Sequence, residues 1–304
     1  MVTVPDVPLG RPRKGFAAWF RRSEAAQGLA LMSPTLLVLL IGIAVPLVIL
    51  ITMGFWTREG FGFDTTPTLD NYARIGAEPI FVTFLARSFM VSGIATLVTI
   101  LLCYPMAYYV AFHVHRNKML WIVLMTLPFW TSYLLRVFAW RVVLGYEGVV
   151  NSAFLSLGWI EAPLEFLLYS QTAVIITLTH AWAAFAILPL YVSLEKIDKS
   201  LLEAATDLGD GPVRRFLRIT LPLSMPGVVA AFFLIFIPTT GDFITPALLG
   251  GPDGMMIGNL IQLQFGPVNN WPMGAALSIV LMLWIGALGL VFLFLTRLAK
   301  RRLA

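Results

Sequence analysis

The segment from Glu195 to Thr220 carries the residues whose types and spacing best suit a chemical task, because it is polar and lies between two long apolar runs. Glu203 and Asp207 could pair with basic groups of a partner protein, and Ala204 and Ala205 would let a partner's backbone approach closely. Three arginines in the same segment would equally suit an amphipathic hairpin lying on anionic lipid. Composition alone leaves both interpretations open.

Residue patterns for bond chemistry are missing from the sequence. Three histidines and one cysteine, Cys103, do not fall at metal-ligand spacing. No Gly-Lys pair occurs, so there is no phosphate-binding loop for a nucleotide. We therefore predict that the chain is not an enzyme and binds no metal or cofactor itself. If ATP drives it, ATP and Mg²⁺ are bound by a separate ATPase.

The elements that position the polar segment are membrane spans. Apolar residues make up 59% of the chain and charged residues 12%, against about 45–50% and about 25% in soluble domains. Runs of at least about 20 apolar residues can cross the hydrocarbon core. We predict an all-α integral membrane protein, a bundle of six transmembrane helices between an N-terminal tail (1–28) and a C-terminal tail (297–304), with spans at about 29–54, 88–112, 119–143, 171–193, 222–245 and 273–296.

Lysine and arginine predict the orientation. With both termini in the cytoplasm, sixteen of the 21 basic residues fall on the inner side and five on the outer side or near it. The net charge of +5 therefore reflects topology, and we expect contact with membrane lipid rather than nucleic acid.

Within residues 195–222 the pattern predicts a helix, a sharp turn and a second helix. The first helix covers Ser200 to Asp207, and Gly209 follows as its C-terminal stop. Pro212 suits the first position of the second helix. Leu221 and Pro222 then open the fifth span.

The spacing in this segment resembles the EAA loop in the membrane subunits of bacterial type I ABC importers. The pattern is Glu203-Ala204-Ala205, three residues, Gly209, nine residues, then Ile219-x-Leu221-Pro222. In that family the loop forms a coupling helix that fits a cleft on the ATP-binding subunit. The resemblance implies an ATPase-coupling role for Glu203, Ala204, Ala205, Asp207, Gly209, Ile219, Leu221 and Pro222.

Two further segments are similar to the spermidine/putrescine-type permeases, and the similarity runs from about residue 30 onward. They are residues 127–140, LPFWTSYLLRVFAW, and residues 241–252, GDFITPALLGGP. The resemblance implies a bacterial inner-membrane importer with a second, usually non-identical, permease subunit. Two ATP-binding subunits would dock on residues 195–222, and a periplasmic solute-binding protein would deliver the cargo.

The cargo implied by the resemblance is a polyamine such as putrescine or spermidine. Alternatives are an opine, an amino-acid-derived or another small organic solute in the same importer class, or, more distantly, an ion-gradient-driven carrier. Such a carrier should hold ionisable groups at mid-membrane, and apart from His180 the centres of the spans hold almost none. For His180, a hydrogen bond to a neighbouring helix and a proton relay are the alternatives.

Carboxylates and aromatic faces are the groups that bind alkylammonium ions. Asp242, at the outer end of the fifth span, is the first candidate for a carboxylate in the path. It could instead pair with Arg136 or Arg141 and lock two helices together. The other candidate path residues are Trp130, Tyr133, Arg136, Glu147 and Trp182.

For an importer of this class we expect an alternating-access mechanism, in which the cavity opens to one side of the membrane at a time. Closure of the ATPase pair would move the loop around Glu203 and Gly209. The spans, which prolines such as Pro105 and Pro128 are expected to bend, would switch the cavity from inside to outside. Hydrolysis would reset it inward.

Overall fold

The computed structural model describes residues 23–60 and 62–303. The chain divides into two compact units, one that ends at Met53 and one that begins at Gly54. The described part of the first unit is a single helix, which runs on to Gly54 as α1 (Glu24–Gly54). Apolar side chains are exposed along most of its length, as suits a helix in contact with lipid.

The second unit is helical apart from one hairpin among its described residues. The hairpin pairs β1 (Thr57–Glu59) with β2 (Gly62–Asp64) in antiparallel register. The helices before residue 199 are α2 (Asp70–Ala77), α3 (Pro79–Phe112), α4 (Lys118–Thr126), α5 (Tyr133–Val143), α6 (Val149–Ser156), α7 (Gln171–Ala181) and α8 (Ala183–Glu195). Those that follow are α9 (Lys199–Asp207), α10 (Pro212–Arg215), α11 (Leu221–Thr240), α12 (Gly251–Gly254), α13 (Ile257–Phe265) and α14 (Trp271–Leu303).

Four described helices are long and apolar enough to cross a membrane by themselves: Gln27–Gly54, Pro79–Phe112, Pro212–Thr240 and Trp271–Phe292. Two further candidates are helix pairs with a sharp bend. Lys118–Trp130 meets Tyr133–Val143 at 81°, and Gln171–Ala181 meets Ala183–Glu195 at 48°. The first bend follows a 3₁₀ turn that contains Pro128, which cannot donate a backbone hydrogen bond. Counting each pair as one span gives six, so the described part of the chain holds four to six candidate spans.

The fifth predicted span differs from the structure at both ends. The helix does not open at Leu221 and Pro222, but runs without a break from Pro212 to Thr240. A π-helical turn at Phe216–Thr220 makes this possible, because the Leu221 N–H bonds the Phe216 carbonyl five residues back. Residues 241–245 lie beyond the helix, so Asp242 sits in non-helical backbone.

The core around α11 is built on close helix contacts. α11 packs against α8 and α3 around buried side chains that include Ala186, Leu190 and Ile235. A Cβ atom at Gly227 would lie 2.5 Å from the carbonyl oxygen of Pro189. Glycine is therefore what lets α11 approach α8 this closely.

Candidate functional site

The first polar site is the segment 195–222, whose helix α9 begins one residue before the predicted start. Asp198 caps α9, since its carboxylate accepts a hydrogen bond from the Ser200 N–H at 3.0 Å. This bond to the backbone amide lowers the pKa of Asp198 below its usual value. The local sequence thus accounts for where the helix starts.

The predicted turn at Gly209 is present. Gly209 has a φ of +84°, a conformation that costs a residue with a Cβ atom about 1–2 kcal/mol. The Leu208 N–H bonds the Ala204 carbonyl at 3.1 Å, and the Asp210 N–H bonds the Ala205 carbonyl at 2.9 Å. These bonds close the C-terminal end of α9 and turn the chain toward α10.

The surface of this helix, turn and helix is open and partly apolar. Glu203, Ala204 and Asp207 are exposed, whereas Ala205 is buried. Leu208 is 88% exposed, and Val213 is 70% exposed. Two large apolar side chains are thus exposed within the same helix, turn and helix.

The three coupling residues that end the segment lie at different depths. Ile219 and Leu221 are half-buried, and Pro222 is exposed. Glu203 and Asp207, by contrast, line an open cavity of about 370 Å³ together with Lys199 and Arg215.

The arginines of the segment bond within it. Asp210 forms ion pairs with Arg214 at 3.7 Å and with Arg218 at 3.5 Å. Arg215 donates to the Thr206 hydroxyl at 2.8 Å, which ties α10 to α9. Two of the three arginines thus share a single carboxylate and remain largely exposed.

An ion pair that the sequence did not reveal lies at the start of the segment. The Lys118 ammonium is 2.7 Å from the Glu195 carboxylate and also donates to the Ala111 carbonyl at 2.8 Å. One side chain thus joins the end of α3, the start of α4 and the end of α8. The partners are 77 positions apart in sequence, so no local pattern could have indicated the pair.

The second polar site is the Asp242 cluster, which we define as Tyr133, Arg136, Trp182, Asp242 and Thr245. Tyr133 donates its hydroxyl proton to the Asp242 carboxylate, and its oxygen lies 2.7 Å from the Thr245 hydroxyl oxygen. The other carboxylate oxygen accepts the Ile244 N–H at 3.0 Å. The Trp182 ring lies beside Tyr133, with centroids 6.1 Å apart. Asp242 is 8% exposed, so the structure places a buried carboxylate among aromatic rings.

Arg136 enters the cluster through aromatic contacts rather than through the carboxylate. Its guanidinium carbon lies 5.3 Å from the Phe129 ring centroid and 6.0 Å from that of Tyr133. Among the described residues, the buried Nε and Nη1 atoms have no hydrogen-bond partner.

The alternative in which Asp242 pairs with an arginine does not hold in this structure. None of the ion pairs formed within residues 23–60 and 62–303 includes Asp242. Arg141 instead donates to the Tyr169 hydroxyl at 3.3 Å.

Two of the predicted path residues lie outside the Asp242 cluster. Trp130 is 76% exposed, and Glu147 is exposed in the loop before α6. Tyr133, Arg136, Trp182 and Asp242 are therefore the four path candidates that the fold brings together.

His180 lines a cavity next to this cluster. The Trp140 indole N–H donates to His180 Nδ1 at 3.0 Å, so the first of the two alternatives for His180, a hydrogen bond to a neighbouring helix, is present. The cavity has a volume of about 520 Å³ and is otherwise mostly apolar, with Phe129 and Trp140 in its wall. Its size falls within the range of small-molecule sites.

Sequence reasoning also missed a row of buried hydroxyls on α3. Ser88, Ser92, Thr96 and Thr99 are fully buried, and their spacing of three to four residues places them on one helix face. Thr99 donates to the Thr179 carbonyl of α7 at 3.3 Å. Small hydroxyl residues allow close helix packing in membranes. The spacing of three to four residues between these serines and threonines was the sequence signal that could have identified the row.

Comparisons with known proteins agree with this geometry. Residues 28–304 match the family described as "Binding-protein-dependent transport system inner membrane component". The spermidine/putrescine transport system permease protein PotB of Escherichia coli K12 is 37% identical over 265 residues, which cover 87% of this chain and 96% of PotB.

Solved structures show the same fold. A chain from a bacterial ABC transporter involved in the import of the acidic polysaccharide alginate superposes with a TM-score of 0.71 at 19% identity, covering 94% of this chain and 99% of that one. A second structure of an alginate ABC transporter, in complex with an alginate pentasaccharide-bound periplasmic protein, gives a TM-score of 0.69 at 17% identity, with coverage of 91% and 95%.

The resemblance inferred from the EAA spacing is thus confirmed over most of the chain. With its apolar spans and its match over residues 28–304, the chain belongs to the family of binding-protein-dependent transport system inner membrane components, as a permease subunit of an ABC importer.

Proposed function

We propose that this permease subunit forms half of a translocation path for a polyamine, with putrescine and spermidine as the first cargoes to test. The observation that carries the proposal is the buried Asp242 carboxylate, which has no cationic partner among the described residues and lies beside the rings of Tyr133 and Trp182. A carboxylate next to aromatic faces is the combination that binds an alkylammonium group. The name of the relative PotB supports the same cargo.

A separate ATPase drives transport by docking on residues 195–222. The exposed Leu208 and Val213, next to the Glu203 and Asp207 carboxylates, support this docking. ATP and Mg²⁺ are bound by that partner, and this chain binds no cofactor. Two ATPase subunits, a second and non-identical permease and a periplasmic binding protein complete the importer. The chain crosses the membrane six times, with both termini in the cytoplasm.

The proposed cargo is tested by uptake into proteoliposomes that contain the complete complex. Labelled putrescine and spermidine are compared with an opine-type solute, with and without ATP. We expect ATP-dependent uptake of the polyamines only. Uptake that persists without ATP but collapses with an ionophore would instead support a gradient-driven carrier.

The role of Asp242 is tested in the same assay. Asp242→Asn should lower polyamine uptake by about tenfold or more, because the amide cannot neutralise the ammonium group. Asp253→Asn is the matched control, since Asp253 is exposed. Unchanged uptake by the Asp242 variant, with the complex intact, would remove this residue from the path.

Docking is tested with Glu203→Lys, which reverses the charge of an exposed residue of α9. We expect weaker ATPase association and lower uptake. Normal association together with normal uptake would contradict a docking role for this surface.

A second candidate cargo is a zwitterionic, amino-acid-derived solute. The observation that favours it is the Arg136 guanidinium, whose buried Nε and Nη1 could bind a carboxylate or phosphonate. The opine-type solute in the uptake assay distinguishes the two cargoes.

A further inference from the structure

The Asp242 cluster contains a cation and an anion that do not pair. Arg136 lies against the rings of Phe129 and Tyr133, while the Asp242 carboxylate bonds the Tyr133 hydroxyl and a backbone amide. Tyr133 therefore contacts both charged groups, one through its ring and the other through its hydroxyl. A buried charge without a counter-ion is costly, so the separation of these two charges calls for a reason.

Arg136 already occupies the kind of position that an alkylammonium cargo needs. A cation within about 6 Å of an aromatic centroid is attracted to the ring face, and both Arg136 contacts fall in that range. The Arg136 guanidinium thus occupies the faces of the Phe129 and Tyr133 rings, close to the buried Asp242 carboxylate. A cargo cation that approaches Asp242 meets both the occupied rings and a like charge.

We propose that Arg136 is a specificity-determining residue that weakens the binding of cationic cargo at the Asp242 cluster, by competing for its aromatic faces and by like-charge repulsion. The inference rests on the proposed polyamine function. Weaker binding would help transport, because a path must bind its solute well enough to accept it and weakly enough to release it. Without Arg136, the carboxylate and the rings would hold a polyamine too tightly.

The test is direct binding of labelled putrescine to the full permease–ATPase complex in nanodiscs, without the binding protein, so that the permease affinity is measured alone. Arg136→Gln should bind putrescine about tenfold more tightly than wild type. In proteoliposomes its maximal uptake rate should fall, since release becomes slow. Arg136→Lys keeps the positive charge but loses the planar guanidinium that lies on the rings, so its affinity for putrescine should fall between those of wild type and Arg136→Gln.

Arg141→Gln is the matched control, because Arg141 lies on the same helix but is exposed and bonded to Tyr169. It should bind putrescine as wild type does. If Arg136→Gln fails to assemble with the ATPase, Arg136→Met fills a similar volume without a polar group and is measured in the same way.

Putrescine binding to assembled Arg136→Gln or Arg136→Met complex that is equal to or weaker than wild type would overturn the proposal. So would loss of opine-type solute binding in the variant, since Arg136 would then be a ligand for an anion. If wild-type complex imports no polyamine at all, the proposed cargo fails. If it does import polyamine but the Arg136 variants bind it no more tightly, only the role of Arg136 fails.

Discussion

Gly209→Ala isolates the contribution of one backbone conformation to coupling. Gly209 has a φ of +84°, and a Cβ atom added there meets nothing within 4 Å. The cost is therefore conformational rather than steric, about 1–2 kcal/mol for an L residue in the left-handed region. That energy lowers the equilibrium constant for forming the native turn by a factor of about 5 to 30.

The expected result is weaker docking of the ATPase. If the partner binds only the native turn, its dissociation constant should rise by up to this factor of about 5 to 30, because the apparent constant scales with the inverse of the fraction that holds the turn. The measurement is equilibrium binding of the ATPase subunit to the permease pair in nanodiscs, followed by solute uptake. Gly209→Asn should fall between wild type and Gly209→Ala, because asparagine tolerates positive φ better than alanine.

Gly211→Ala is the matched control two residues further on. Gly211 also has open space around an added Cβ, but its φ is −67°, which any residue can adopt. Little change is expected, since a small loss of capping at α10 is offset by lower entropy of the unfolded chain. Equal ATPase affinity for the Gly209 and Gly211 alanine variants would refute the idea that the turn conformation matters for docking.

Three further predictions concern packing, the α4–α8 ion pair and the helix cap. Gly227→Val should destabilise the purified complex and lower its Tm, because even its Cβ atom would lie 2.5 Å from the Pro189 carbonyl oxygen. Lys118→Met should slow ATP-driven uptake without reducing ATPase binding, and a matching loss in Glu195→Gln would assign the effect to their 2.7 Å contact. Asp198→Ala should weaken ATPase binding equally from about pH 5 to pH 8. The lowered pKa of Asp198 keeps its carboxylate ionised over that range, and the contribution of the cap is lost only at a pH below the ordinary pKa of an aspartate. A pH-dependent effect within that range would contradict the assignment of the cap to the carboxylate.

Local features of this protein were predictable because their causes are local. The apolar runs indicated helices of membrane-spanning length, since hydrocarbon thickness sets how many residues are needed. The turn at Gly209 followed from the conformational freedom of glycine, and the spacing from Glu203 to Pro222 was sufficient to indicate the family. In each case the residues of one short segment are sufficient for the prediction.

Helix geometry was less predictable where hydrogen bonding could take more than one form. Leu221 and Pro222 read as a helix start, but a π-turn lets the helix continue through them. The 81° bend after Trp130 falls within a run that reads as one span. Pro128 predicts a bend here, but apolar length is the same for straight and bent helices, so the angle was not predictable.

Only the tertiary structure decided which side chain Asp242 meets. Sequence left Arg136 and Arg141 open as partners, whereas packing places the Tyr133 hydroxyl on the carboxylate and leaves Arg136 on the aromatic rings. Tyr133 and Asp242 are 109 positions apart, and their contact depends on how α5 and the end of α11 pack. Sequence by itself therefore determined the class of protein and its all-helical membrane character, because apolar content, run length and turn chemistry are local properties of the chain. The positions of Arg136 and Asp242 in the cluster depend on how helices far apart in sequence pack together, and no local pattern of residues predicts that packing.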